Sequence, residues 1–87
     1  MYSYELRKSV ERVFFKLARK NPKQLEIIWK KIQEVIQDPQ HYKNLRSPLQ
    51  HLKRVHIDKS FTLLFSVDES NKKVIFEELD HHDNIYK

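Results

Sequence analysis

Apolar and polar residues alternate with period two near both ends of the chain and recur with period near 3.6 between them. Tyr2, Tyr4 and Leu6 are separated by single polar residues, which predicts a first strand over Tyr2 to Leu6. From Ser9 the period changes. Val10, Val13, Phe14, Leu17 and Ala18 recur at helical spacing behind a serine able to cap, and the helix is expected to stop near Asn21-Pro22. Pro22 suits the first turn of a second helix with the stripe Leu25, Ile28, Trp29, Ile32 and Ile36, ending at Asp38-Pro39. Two such helices on a short loop make a helical hairpin, so Trp29 reads as packing.

Residues 38–52 lack sustained periodicity and carry two prolines, which predicts a long connection of the kind that often has a function. Val55 and Ile57 then alternate with Arg54 and His56, and Phe61, Leu63, Phe65 and Val67 alternate with Thr62, Leu64 and Ser66. That pattern is a hairpin turning at Asp58-Lys59-Ser60. A last strand over Lys73 to Leu79 follows a turn at Asp68 to Asn71. With no glycine in the chain, Asn71 or Asp68 is expected to supply any left-handed turn position. The order strand, helix, helix, three strands predicts an α+β fold. An N-terminal strand and a two-helix hairpin pack on one face of a small, mainly antiparallel four-stranded sheet, in a single domain over residues 1–87. Parity adds a detail: with Val55 and Ile57 in the core, Arg54 and His56 share the open face.

Composition narrows the setting. No run approaches the roughly 20 apolar residues of a membrane span, and the N-terminus lacks the marks of a secretory signal, so a cytoplasmic protein without a membrane partner is expected. Without cysteine there is neither a disulfide nor a thiolate zinc site. The net charge of +5 is unevenly spread: through Ile57 there are 13 Lys/Arg against 5 Asp/Glu, and from Asp58 onward 4 against 7. A basic part of a small domain suits a polyanion, nucleic acid being the commonest. The segment Asp80 to Lys87, DHHDNIYK, concentrates chemistry at the C-terminus. His81 and His82 between Asp80 and Asp83 offer zinc ligands, but adjacent histidines on a strand point to opposite faces, so no metal is expected. His41 and His51 in the long connection receive no role.

The stretch LKRVHIDKSFTLLFSVDESNKKVIFEELDHHDNIY resembles the C-terminal half of the RelE/ParE superfamily of toxins, nearest to the archaeal RelE-like and YafQ-like ribonucleases. The spacing from His56 through Phe61 and Phe76 to His82 and Tyr86 carries the likeness. The resemblance implies a RelE-like fold and a type II toxin that cleaves mRNA in the ribosomal A site. Its implied partners are a RelB/DinJ-like antitoxin, the ribosome and mRNA, with operator DNA bound through the antitoxin, and no cofactor is implied. In YafQ-like enzymes a strand histidine, a second histidine near the C-terminus and a terminal aromatic do the chemistry, positions held here by His56, His82 and Tyr86. Phe61 stands where those chains have a tryptophan. A further YafQ-like histidine falls at Ser47 or Arg46, a YafQ-like aspartate at Ser60 and a RelE-like arginine at Thr62. Arg54 falls near a RelE-like lysine.

The chemistry stands on its own terms. RNA carries its nucleophile, the 2′-OH, so the protein has only to take that proton, stabilise the phosphorane and protonate the leaving 5′-oxygen. Two imidazoles, with ordinary pKa ~6.5, divide the base and acid roles at neutral pH, and which of His56 and His82 takes which is open. Arg54, with Lys53 or Arg46, is positioned to neutralise phosphate oxygens. Tyr86 or Phe61 offers a ring for an unpaired base, and His81 is a further substrate contact. Two alternatives share the fold: a ParE-like gyrase inhibitor without hydrolytic activity, and a non-toxic nucleic-acid-binding module.

Overall fold

The computed structural model describes residues 1–81. Strand β1 (Ser3–Leu6) leads into helices α1 (Lys8–Lys20) and α2 (Pro22–Gln37). A 3-10 turn at Pro39–His41 and a long connection follow, then strands β2 (Lys53–Ile57), β3 (Phe61–Asp68) and β4 (Lys73–His81). The four strands form one sheet in the order β1-β4-β3-β2. β1 runs parallel to β4, and the other neighbours are antiparallel. This is the α+β arrangement that the periodicity predicts. His82 and Tyr86, expected at the site, lie outside the described residues.

The helices form where their apolar stripes have a sheet to cover. Val10 of α1 and Ile28, Ile32, Val35 and Ile36 of α2 are buried against Val55, Ile57, Leu63, Phe65, Val74, Phe76 and Leu79. Phe65 and Phe76 are fully buried on adjacent strands with ring centroids 5.9 Å apart, and Tyr42 meets Phe65 edge-on at 5.7 Å. Asn21 ends one helix and begins the next. Its N–H donates to the Leu17 carbonyl (2.7 Å), and its side chain accepts from the Gln24 N–H (3.2 Å), with Pro22 in the first turn. Trp29 is half-exposed and packs edge-on against Tyr4 and Phe14, in keeping with a packing role.

The details differ from the sequence expectation in four places. Helix α1 starts at Lys8, and Ser9 does not cap it: its hydroxyl donates to the Glu77 carbonyl (3.1 Å), tying α1 to β4. Strand β1 starts one residue later than expected, at Ser3, because the Tyr2 N–H is drawn to the Ile36 carbonyl at the end of α2 (3.0 Å). Strand β4 runs on to His81 because Phe61 and Thr62 continue to pair with it. The left-handed positions are Asp58 (φ 49°), Lys59 (φ 64°) and Lys72 (φ 50°), not Asp68 or Asn71. The hairpin after Ile57 has the primed geometry that matches strand twist, which demands positive φ at both central residues whatever their type. Asp68 instead accepts from the Asn71 backbone and side-chain N–H groups (3.2 and 2.8 Å), which holds its carboxyl below the usual range.

Glu69 joins distant segments. Its carboxylate accepts from the Tyr2 hydroxyl (2.9 Å), the Lys72 ammonium (2.9 Å) and the Gln40 side chain, which binds the N-terminus and the 3-10 turn to the β3–β4 turn. These donors hold the Glu69 carboxyl below its ordinary range, with Lys72 the largest cause, while accepting carboxylate oxygens push the Tyr2 phenol up. A carboxyl lowered in the folded state stabilises the fold above its unfolded pKa and loses that contribution as pH falls through the folded value. The Tm of Glu69→Gln, followed by circular dichroism, should therefore change less than that of the wild type between about pH 6 and about pH 3. Phe65→Ala should cost about 3–5 kcal/mol, read as a fall in the urea midpoint.

Candidate functional site

Strand β2 is a half-buried strand in the strict sense: Lys53, Val55 and Ile57 are buried, and Arg54 and His56 are exposed. The helices cover the inner side, so Arg54 and His56 stand together on the outer face. Cross-strand pairing extends both rows over the sheet, His56 to Thr62 to Asp80 and Arg54 to Leu64 to Glu78. Thr62 is fully buried, and its hydroxyl lies 3.4 Å from His56 Nδ1, a long contact that biases the orientation of the ring. Thr62 and Leu64 are both buried, so the outer face carries its exposed chemistry on the flanking strands.

The long connection supplies the other wall. Lys43, Asn44, Leu45, Arg46 and Leu49 line a groove of ≈ 390 Å³ together with Arg54. Three cations thus border one groove, and His56 stands two residues further along the strand that carries Arg54. The loop owes its shape to short-range bonds: the Leu45 N–H donates to the Leu52 carbonyl (2.8 Å), the Leu49 N–H to Arg46 (2.9 Å) and the Leu52 N–H to Leu49 (2.9 Å).

Lys53 is placed differently from the other basic residues assigned to substrate. It is 7 % exposed and sits on the inner side of β2, where its ammonium donates to the Tyr42 carbonyl (2.8 Å) and to Asn44 Oδ1 (2.9 Å). Asn44 in turn donates to the Gln50 carbonyl (2.7 Å) and pairs with Lys53 through an isolated antiparallel bridge. A buried ammonium is tolerable only where acceptors replace its water, and here they belong to the loop that bears Lys43 and Arg46. Lys53 is therefore a pin for the groove wall, and its buried position removes it from direct contact with a phosphate in the groove.

Phe61 and His81 form a second grouping. They pair directly across β3 and β4, with ring centroids 6.0 Å apart in edge geometry. Phe61 is also opposite Ile57, so the pair has inner-side parity at the end of the sheet, and Phe61 packs against the core. The structure thus brings Arg46 and Arg54 to one groove with His56 beside it, and sets Phe61 and His81 apart on the other parity. His82 and Tyr86 lie outside the described residues.

The outer face is electrically divided. Glu78 and Asp80 project from β4 on the same side as Arg54 and His56, and a bulge re-aims Glu77: Leu64 pairs with Glu78 but Phe65 with Phe76, leaving Glu77 as the extra residue. Its carboxylate accepts from Ser66 Oγ (2.7 Å) and Arg7 Nε (3.1 Å). Arg7 also pairs with Glu5 (3.2 Å), and the Lys73 ammonium donates to Glu5 at 2.6 Å, which holds the Glu5 carboxyl below its usual range. Sequence reasoning missed Lys43 and the pin role of Lys53. Both depend on the path of an aperiodic loop, for which alternation gives no parity. The basic residue at 43 beside Asn44 was the only local signal.

No family model matches the chain. A protein of Methanocaldococcus jannaschii that bears the name toxin RelE4 is 56% identical over 87 residues, covering 100% of this chain and 93% of its own. Among solved structures, the RelBE2 toxin–antitoxin complex of Mycobacterium tuberculosis holds a chain similar at TM-score 0.79 and 20% identity, covering 93% of this chain and 98% of that one. YafQ of E. coli strain BL21(DE3) aligns at TM-score 0.73 and 17% identity over 100% of both chains.

Replacing Lys53 by methionine keeps most of the apolar stem and removes the ammonium. Hydrogen exchange at the Leu45 and Leu52 amides should quicken roughly tenfold or more, the equivalent of ~1.4 kcal/mol of local stability, while the β3 and β4 amides stay protected.

Proposed function

The chain belongs to the RelE-like toxins, and from that premise we propose that it is the toxin of a type II toxin–antitoxin pair, acting as a ribosome-dependent endoribonuclease on mRNA in the A site. The observation that carries the reading is the groove bordered by Lys43, Arg46 and Arg54 with His56 next along β2. Such a groove suits a phosphodiester backbone, because guanidinium groups offer paired donors to phosphate oxygens and keep their charge at any physiological pH.

In this reading the 2′-oxygen of the substrate attacks the adjacent phosphorus in line as the bond to the 5′-oxygen breaks. One histidine takes the 2′-OH proton, the other gives a proton to the leaving 5′-oxygen, and a 2′,3′-cyclic phosphate remains. His56 and His82 fill these roles, with Tyr86 assisting at the chain end. Arg54 and Arg46 stabilise the charge that develops on the phosphorane, an electrostatic contribution that needs no metal in the step. Phe61 and His81 have the opposite parity, at the end of the sheet, so in this reading their ring pair meets a nucleotide beyond the groove and not the scissile one.

The partner set follows from the same premise. The Mycobacterium tuberculosis neighbour is a toxin–antitoxin complex, which supports a RelB/DinJ-like antitoxin for this chain. The complex of the two would bind operator DNA through the antitoxin. We place the chain in the cytoplasm as a single domain over residues 1–87, and among the described residues no helix is long and apolar enough to cross a membrane.

The test is primer-extension mapping of a reporter mRNA in a purified translation system, with and without ribosomes. Wild type is expected to give discrete cuts that require ribosomes. His56→Ala should lower the rate by roughly 100- to 10,000-fold, the usual contribution of a general acid or base. A folded wild type that makes no cut but blocks gyrase supercoiling would replace this reading with the ParE-like one.

A further inference from the structure

The exposed face of α1 carries a second chemistry far from β2. Arg12, Phe15, Lys16, Arg19 and Lys20 follow the spacing that places side chains on one side of a helix, and together they line a concavity of ≈ 420 Å³. The opposite stripe of α1, with Val10 buried and Val13, Phe14 and Leu17 half-buried, faces the core. Phe15 is 72% exposed, the highest of any aromatic ring among the described residues. A phenylalanine in water forgoes the stabilisation of burial, so it stands out amid four charged neighbours.

The charges stand out as well. On the sheet, Arg7 and Lys73 are engaged by Glu5 and Glu77. Arg12, Lys16, Arg19 and Lys20 have no carboxylate partner among the described residues. They do nothing for one another except repel. Unpaired cations gain most from a dense polyanion, and an open ring among them fits a ligand that presents a flat π-face beside each phosphate. Unpaired nucleotides combine both features. An acidic peptide would satisfy the charges but has no general need of the ring, so the pairing of ring and cations favours RNA.

We propose that the outer face of α1 is a second RNA-binding surface, with Arg12, Lys16, Arg19 and Lys20 holding phosphates and Phe15 stacking on an unpaired base. It lies across the core from Arg54 and His56, on a molecule whose shortest extent is 21 Å. The strand that enters the candidate site does not reach it directly. The ligand of α1 is therefore another part of a folded RNA, and the surface anchors the protein on that RNA while the groove receives the scissile strand. This deepens the proposed function, yet binding at α1 is measurable without any cleavage.

The experiment uses the full chain with His56→Ala to prevent cutting, and a fluorescent RNA hairpin whose loop carries 4-thiouridine. Anisotropy gives Kd against salt, and photo-crosslinking followed by peptide mapping gives the site. Phe15→Ala is expected to weaken binding about 5- to 150-fold, the range for loss of one stacked base. Arg12→Gln with Arg19→Gln should lower the slope of log Kd against log salt by about 1.4, whereas Lys30→Gln on α2 changes Kd less than about twofold. Crosslinks should fall within residues 8–20. Circular dichroism confirms that these surface variants fold. An unchanged Kd in Phe15→Ala, crosslinks confined to residues 43–56, or α1 variants that lose binding only to an acidic peptide or to anionic vesicles would each overturn the proposal. Crosslinking at α1 in a wild type that cuts no mRNA would instead sink the proposed activity and leave this surface standing.

Discussion

Burial of the inner side of β2 under α2 is the constraint on which the candidate site depends. Val55 and Ile57 are taken into the core with Ile28 and Ile32, and a strand has only two sides. Arg54 and His56 must then project outward together, since a slip of one residue would expose two aliphatic side chains and bury a guanidinium and an imidazole. The same pleat carries their rows across β3 to Glu78 and Asp80. Packing energy thus decides the position of the chemistry before any substrate is considered.

Lys53 couples that core to the groove. It obeys the parity of β2 and so goes inward, where a bare ammonium would be costly, and the long connection supplies the acceptors it needs. The exchange runs both ways. The loop gains a fixed point at Tyr42 and Asn44, and the strand keeps a polar residue buried with two acceptors for its ammonium. Glu69 does comparable work at the other end of the loop through Gln40. Between these two anchors the connection brings Lys43 and Arg46 beside Arg54. Charge is then divided by region, with unpaired cations on α1, the loop basic, and the acids Glu77 of β4 and Glu5 of β1 answered by Arg7 and Lys73.

Much of this was legible in the residue pattern, for physical reasons that can be stated. Helices and paired strands announce themselves through burial periodicity, so the element order, the helical hairpin and the outward pair Arg54 and His56 follow from alternation alone. Turn conformations were less accessible. A chain without glycine must place ordinary residues in the left-handed region, and hairpin geometry assigned that burden to Asp58 and Lys59, against the preference for Asn71 or Asp68. The β4 bulge at Glu77 and the loop path were hidden for the same reason, because each is decided by tertiary pairing. Consequently the roles of Lys53 and Lys43 emerged only with the fold. The cations of α1 entered the sequence reading only as part of the basic count through Ile57, and the stripe they form around Phe15 emerged once the ring proved to be uncovered.

The central claim is that the groove beside His56 presents an RNA phosphate for attack by its own 2′-oxygen. The most direct measurement is single-turnover cleavage of a ribosome-bound mRNA carrying one 2′-deoxynucleotide immediately 5′ of the scissile phosphate. The account expects the all-ribose message to yield a 2′,3′-cyclic phosphate and a 5′-hydroxyl, and the deoxy message to remain intact at that bond. Cleavage of the deoxy message at an undiminished rate would contradict it, because the nucleophile would then have to come from water or from the protein.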